Sequence, residues 1–237
     1  MVVNNLFKTI PDKEEMENSV FSYMSENHNE ENVVFFADSA LSDLKHKIKY
    51  TFIDASEVRI NNEYLKKQDL RQVLKKDLDN WFILESLDPG TIEATVSFLT
   101  SLQRDGFKIR LFTTNRVQFY ENEVPNSRLS NLNFTFPSVS RELAKPAPES
   151  FEEKFKAKYG YYPNKFVVRG FDLTYDVLMR LAFKNDIYQT LQLESYTEYF
   201  ENKFNYWPFD FDEGYYNTSF YLIQQKPDLE VNVIDFE

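Results

Sequence analysis

Three short apolar runs stand out along the chain: Val33-Val34-Phe35-Phe36-Ala37, Trp81-Phe82-Ile83-Leu84 and Ile109-Arg110-Leu111-Phe112. Each stops at side chains able to hydrogen-bond: Asp38-Ser39, Glu85-Ser86 and Thr113-Thr114-Asn115. Runs with so little alternation suit strands covered on both faces, as parallel strands between helices are. Helical spacing fills the intervals. Lys13 to Asn27 sets Met16, Val20 and Met24 at i, i+4 and i+8, with Glu14 and Glu15 at the positive helix end. Glu63 to Leu78 aligns Leu70, Leu74 and Leu78; after Asp88-Pro89-Gly90-Thr91, residues Ile92, Val96, Leu99 and Leu102 form a stripe that ends near Gly106. The expected fold is α/β: an open, mostly parallel sheet with helices on both faces and its polar strand ends along one edge. In open α/β sheets that edge is where ligands usually sit.

The remaining pattern is less regular. Asp38 to Asp43 supplies short polar side chains for capping a helix, and Tyr50 to Ile53 reads as a further strand before a loop through Asn61-Asn62. Leu132 to Phe136 alternates like a half-exposed strand that Pro137 stops. From Ser138 to Pro148, Ser, Pro and charge replace the apolar pattern, which predicts a boundary between a sheet lobe (1–140) and a helical returning segment (141–237). Within the latter, Glu149 to Tyr159 and Asp172 to Phe183 read as helices, the second with Leu173, Val177 and Leu181 aligned. Ser195 to Phe204 is a weaker helical pattern. Tyr216 to Gln224 and Leu229 to Phe236, around Lys226-Pro227-Asp228, predict a hairpin.

Composition narrows the chemistry. With Phe 23, Tyr 15 and Gly only 5 in 237 residues, rings fill the core and few backbone positions can approach a phosphate closely. No G-x-G-x-x-G or G-x-x-x-x-G-K-[ST] turn occurs, so no nucleotide cofactor is expected. A formal net charge of -11 repels phosphate backbones and argues against nucleic acid and anionic membrane surfaces as partners. The chain has no cysteine, so it has neither disulfides nor thiolate metal ligands. No apolar run approaches the roughly 20 residues of a membrane span, and the start lacks a signal-peptide core, which fits a cytoplasmic protein or one whose targeting segment lies elsewhere.

Catalytic motifs are sparse. His28 and His46 are the only histidines and stand in polar surroundings; a zinc site wants three or four clustered ligands. Phe209-Asp210-Phe211-Asp212-Glu213-Gly214 lacks the spread of oxygen ligands of a calcium loop. Asp172 and Asp176 share a helix face, yet Asp172 stands where a helix is expected to begin and is more simply a cap. The candidate site is therefore the strand-end fringe: Asp38, Ser39, Glu85, Ser86, Thr113, Thr114, Asn115 and Arg116. These offer carboxylate, hydroxyl and amide groups to a small polar ligand, or else they only end strands and cap helices.

Taken in order, Asn32–Asp38, Tyr50–Ile53, Trp81–Ser86, Lys108–Asn115 and Leu132–Pro137, followed by Phe151-Glu152-Glu153-Lys154-Phe155 through Gly160-Tyr161-Tyr162-Pro163, resemble type I periplasmic-binding proteins of the branched-chain amino-acid class. Arg169-Gly170-Phe171-Asp172-Leu173-Thr174-Tyr175-Asp176 resembles a helix of that family, in the variety attached to LysM modules in bacterial cell-envelope proteins, and Tyr216–Tyr221 resembles its closing strand. The resemblance implies two α/β lobes closing on a ligand. Little stands ahead of Lys13, so it also implies that this chain carries one lobe and the returning segment of the other. It implies a periplasmic or envelope location, an amino acid, peptide or peptidoglycan fragment as ligand, and an apolar face on Asp172–Phe183 that lacks its usual sheet and is left for the C-terminal segment or a second subunit to cover. The function expected is thus that of a non-catalytic receptor-like or scaffolding domain. Two alternatives stay open: a small α/β hydrolase using Asp172, Asp176 or Asp210, and a protein–protein module built on Tyr196, Tyr199, Phe200, Phe204, Tyr206, Trp207 and Phe209.

Overall fold

The computed structural model describes residues 6–59, 65–141, 150–184, 186–191, 196–208 and 214–234. The expected loop at Asn61-Asn62, the prolines Pro146 and Pro148, and the acidic turn from Phe209 through Glu213 lie outside the described residues. In chain order the elements are β1 (Phe7–Lys8), α1 (Lys13–Asn27), β2 (Asn32–Ala37), α2 (Ser42–Thr51), β3 (Ser56–Glu57), α3 (Lys67–Val73), β4 (Asp79–Glu85) and α4 (Pro89–Arg104). There follow β5 (Lys108–Phe112), α5 (Gln118–Asn122), α6 (Asn126–Asn131), β6 (Thr135–Ser138), α7 (Phe151–Tyr159) and α8 (Lys165–Phe183). The short strands β7 (Thr197–Glu198), β8 (Lys203–Phe204), β9 (Tyr206–Pro208) and β10 (Tyr215–Asn217) precede the closing pair β11 (Tyr221–Lys226) and β12 (Glu230–Ile234). Contacts divide the chain into two units, one of residues 17–137 with 222–237 and the other of residues 1–16 with 138–221. The break at Ser138 is where the sequence pattern changes, but the closing hairpin associates with the sheet and the first residues with the second unit.

The first unit is a seven-stranded sheet in the order β12-β11-β6-β5-β4-β2-β3. Strands β3, β2, β4, β5 and β6 run parallel, with Val34 opposite Phe82 and Phe82 opposite Leu111. At the other end of the sheet β11 and β12 pair antiparallel, Leu222 opposite Ile234. The sheet is thus α/β and mostly parallel, as the runs of apolar residues predict. Phe35, Phe82, Ile83, Leu111 and Phe112 are fully buried in it. Burying both faces of such strands is what lets them dispense with polar alternation.

At the head of β4, Asn80 ties the layer together. Its carbonyl accepts from Asn32 Nδ2 (2.9 Å) and the Lys75 amide (2.8 Å), and its own amide donates to the carbonyls of Lys75, Leu78 and Lys108. This explains why α3 stops at Val73 rather than reaching Leu78: the main chain after Leu74 is held by Asn80 instead of by the helix.

Three further expectations are corrected. Tyr50 to Ile53 is not a strand, because α2 runs through Thr51 with Leu44, Ile48 and Phe52 buried at four-residue spacing while Tyr50 and Ile53 are 90% and 88% exposed. That helix takes Leu41 as its N-cap without a side-chain bond, so Asp38 and Ser39 do not cap it. Leu132 to Phe136 is not half-exposed: Phe134, Thr135 and Phe136 are wholly buried, and Pro137 lies within β6.

The second unit is smaller. Strand β10 lies between β1 (parallel) and β9 (antiparallel), and β7 pairs with β8. Leu191, Phe204 and Tyr206 form its core with Phe7, Leu173, Tyr199 and Tyr215 packed against them. Gly214 (φ 103), immediately before β10, lies so close to the Leu6 carbonyl that a Cβ would collide with it. The weak helical pattern from Ser195 to Phe204 is overturned here by strands; Ser195 itself is outside the described residues.

Replacing Asn80 by Ala strips two donors and three acceptors of their buried partner. Equilibrium urea unfolding is expected to show a loss of about 2–4 kcal/mol, with Asn80→Asp no better because it removes the donating amide.

Candidate functional site

All eight residues expected on the strand-end fringe belong to the sheet unit, where β2, β4 and β5 end. The structure joins several of them directly. The Asp38 carboxylate accepts from Ser86 Oγ (2.9 Å) and the Leu87 amide (2.8 Å), and Ser86 Oγ in turn accepts from the Asp88 amide (3.1 Å). Asp88 then caps α4 by accepting from the Thr91 amide (2.7 Å). The buried Glu85 carboxylate accepts from the Thr114 amide (2.5 Å) and from Thr113 Oγ1 (3.4 Å). Arg116 lies over the Phe136 ring at 4.3 Å, and burial lowers its pKa while the Glu121 charge opposes that. Ser39 is exposed and Asn115 half-buried. Much of the fringe is therefore engaged in fixing strand ends against one another.

Two polar atoms beside this network make no hydrogen bond of ordinary geometry: Thr114 Oγ1 and the Tyr120 hydroxyl. Tyr120 is fully buried, and its hydroxyl pKa is driven well above the usual value, first by that burial and then by the nearby charges of Glu85 and Asp38. Sequence pattern alone did not mark Tyr120, which stands in a five-residue helix within an irregular stretch. A cavity of about 620 Å³ opens at the opposite edge of the sheet, lined by Tyr23, Asp79, Trp81, Lys108, Arg110 and Asn133 among others. Arg110 there sits within 5.9 Å of the Tyr23, Trp81 and Phe112 rings and donates to Thr135 Oγ1 and Tyr23 OH.

The acidic residues considered for hydrolysis have other work. Asp172 is not a helix cap: α8 begins seven residues earlier, where Asn164 accepts from the Phe166 and Val167 amides. Asp172 is wholly buried mid-helix and accepts from the amides of Phe200 (3.1 Å), Glu201 (2.9 Å) and Asn202 (3.0 Å) and from Asn202 Nδ2 (2.8 Å). One turn on, Asp176 receives Arg180 Nε (2.9 Å), Thr197 Oγ1 (2.7 Å) and the Tyr199 hydroxyl (3.0 Å). Burial and then the Asp176 charge push the Tyr199 hydroxyl up to about 12. These carboxylates are the fastenings of the loop and strands that follow α8. Asp210 lies outside the described residues. Among the described residues, no group of three or more His, Asp or Glu is arranged to hold a metal ion.

Helix α8 is inverted as a result. Its buried positions are Val168, Asp172, Asp176 and Arg180, while Phe166 (74% exposed), Phe171, Tyr175, Leu178, Met179 and Phe183 (70% exposed) face outward. The stripe expected to be internal, Leu173, Val177 and Leu181, is only half-buried or exposed. Rings of this kind carry roughly 150–250 Å² each, so the outward face presents roughly 600 Å² of apolar surface, the upper end for a monomer. The aromatic cluster of residues 196–207 divides: Phe204 and Tyr206 are core, whereas Tyr196 and Trp207 are exposed, and Phe209 lies outside the described residues.

Asp172→Ala removes the acceptor of three backbone amides and is expected to cost about 3 kcal/mol in urea unfolding. Glu201 supplies a pH dependence: burial, with Glu152 and Asp172 nearby and Arg141 opposing, raises its carboxyl from 4.5 to about 7. Its folded-state value lies above its unfolded one, so stability from this group is full below pH 4.5 and is lost as pH rises through about 7. Glu201→Gln is therefore expected to raise stability by about 1 kcal/mol near pH 8, allowing for solvent screening, and to change little near pH 4. Thermal melts at the two pH values measure the difference.

No protein-family profile matches the chain. No curated protein sequence matches it either. Among solved structures the chain is similar to LpoA from Haemophilus influenzae, with 11% sequence identity and a TM-score of 0.47, across 98% of this chain and 43% of that one. The chain thus spans less than half the length of that protein.

Proposed function

We propose that this chain is a non-catalytic receptor-like or scaffolding domain of the bacterial cell envelope that works by docking a partner on the outward face of α8. The observation that carries the reading is the inversion of that helix: Asp172, Asp176 and Arg180 are turned inward while Phe171, Tyr175, Leu178 and Phe183 meet solvent. A chain gains nothing from solvated rings by itself, and the exposed area approaches the roughly 800 Å² that each partner buries in a stable complex. A hydrophobic core with a polar surround is also what a docking patch needs. The envelope setting rests on the resemblance to type I periplasmic-binding lobes and to the receptor-like domains associated with LysM modules. The mostly parallel sheet agrees with that resemblance.

A second reading has one specific support. Thr114 Oγ1 and the Tyr120 hydroxyl are buried beside Glu85 and Asp38 and make no hydrogen bond of ordinary geometry, which favours a small polar ligand, such as an amino acid, a short peptide or a peptidoglycan fragment, at the strand ends.

Two measurements test these readings. The wild-type chain is expected to bind a hydrophobic dye in its native state and Leu178→Lys with Phe183→Lys to abolish that binding with little change in melting temperature. A large loss of stability in the double variant would mean that the face belongs to the core and would overturn the docking proposal. For the second reading, a thermal-shift screen of amino acids, small peptides and muropeptides is expected to raise the melting temperature with at least one class, and the gain should vanish in Glu85→Gln. A flat response across the panel removes the strand-end ligand.

A further inference from the structure

The acidic surplus of the chain is unevenly spread. Between Lys154 and Phe171 there is no Asp or Glu, while Lys154, Lys156, Lys158, Lys165 and Arg169 all fall there. Arg169 is turned inward, donating to Asn202 Oδ1 and the Thr9 carbonyl. The four lysines are exposed. This run forms the end of α7, the turn at Gly160 (φ 84) and the start of α8, and the two helices are held together by the Phe151 and Phe171 rings, stacked at 4.1 Å. Exposed rings alternate with the cations at the tip: Tyr159, Tyr161 (63% exposed), Tyr162 and Phe166. Lys156 lies 4.1 Å from the Tyr162 ring, Lys158 5.3 Å from Tyr159 and Lys165 5.9 Å from Phe166.

We propose that this helical hairpin is a peripheral docking tip for an anionic phospholipid surface. Amphipathic rings settle at the level of lipid headgroups, and lysines beside them are drawn to a negatively charged leaflet while their alkyl stems lie along apolar surface. Net charge does not oppose this, because charge acts locally. The first acid on α8 after the run is Asp172, buried and seven residues past Lys165, which is about 10 Å of helix rise and about one Debye length at 0.1 M salt. The acid nearest on the other side, Glu153, is half-buried and accepts from the Tyr162 hydroxyl (2.8 Å), to which Lys156 donates (3.0 Å). A long polyanion such as RNA would extend past the tip into the acidic remainder of the surface, whereas a bilayer meets the tip alone. The proposal rests on charge segregation and shares only Phe166 with the outward face of α8, whose docking residues from Tyr175 to Phe183 it does not use.

The test is flotation of the full chain with phosphatidylcholine vesicles, with and without about 30 mol% phosphatidylglycerol, at about 0.05 and 0.5 M salt. Binding is expected only with phosphatidylglycerol and only at low salt. Lys156→Gln, Lys158→Gln and Lys165→Gln together should weaken it at least tenfold, and Tyr161→Ser should weaken it further. An unchanged circular dichroism spectrum and melting temperature establish that the exposed variants fold. Leu178→Lys should bind vesicles like wild type, which separates a failure here from a failure of the α8 docking face. Absence of binding to phosphatidylglycerol vesicles, equal binding to uncharged ones, or undiminished binding by the triple variant overturns the proposal. So does capture of a single-stranded oligonucleotide at the tip in place of vesicles.

Discussion

A buried carboxylate must find hydrogen-bond donors, and Asp172 finds four of them in the loop of residues 200–202. That requirement, repeated one turn later by Asp176 with Arg180, Thr197 and Tyr199, sets the orientation of α8 about its axis. A helix has one face to bury. When ionic residues claim it, the apolar ones are left outside. The solvated rings along α8 are thus a consequence of how the second unit fastens its short strands.

The sheet unit follows a different logic. Its parallel strands have few polar side chains to satisfy, so the sensitive places are their ends. At one end Asn80 gathers backbone groups of Lys75, Leu78 and Lys108. At the other, Asp38 and Ser86 bond to one another, as do Glu85 and the Thr113–Thr114 segment. Polar strand ends in an open α/β layer serve two purposes, closing the layer and meeting a ligand. Here most of their capacity goes to closing it.

Charge gives a third instance of local arrangement prevailing over an average. A net of -11 describes the molecule at distances longer than the screening length, about 10 Å. Closer than that, a partner meets whichever residues lie in front of it, and at the α7–α8 turn these are lysines and rings.

What the sequence determined by itself was the parallel layer. The apolar runs of β2, β4 and β5 are legible because burial on both faces removes alternation, and the stripes of α1 and α4 are legible because each packs one side on that layer. The polar ends of those strands were legible too, since a strand leaving a buried layer must end in groups that water or neighbours can satisfy. Tertiary structure alone decided the rest. Leu44, Ile48 and Phe52 carry α2 through a segment rich in strand-forming residues, and Asn80 cuts α3 short. Asp172 and Asp176 read as a helix start and a spare acid until the partners drawn from residues 197–202 appear. The physical reason is common to all of these: hydrophobic periodicity is written in residues a few positions apart, whereas buried polar groups are satisfied by partners up to tens of residues away, and no spacing along the chain announces them.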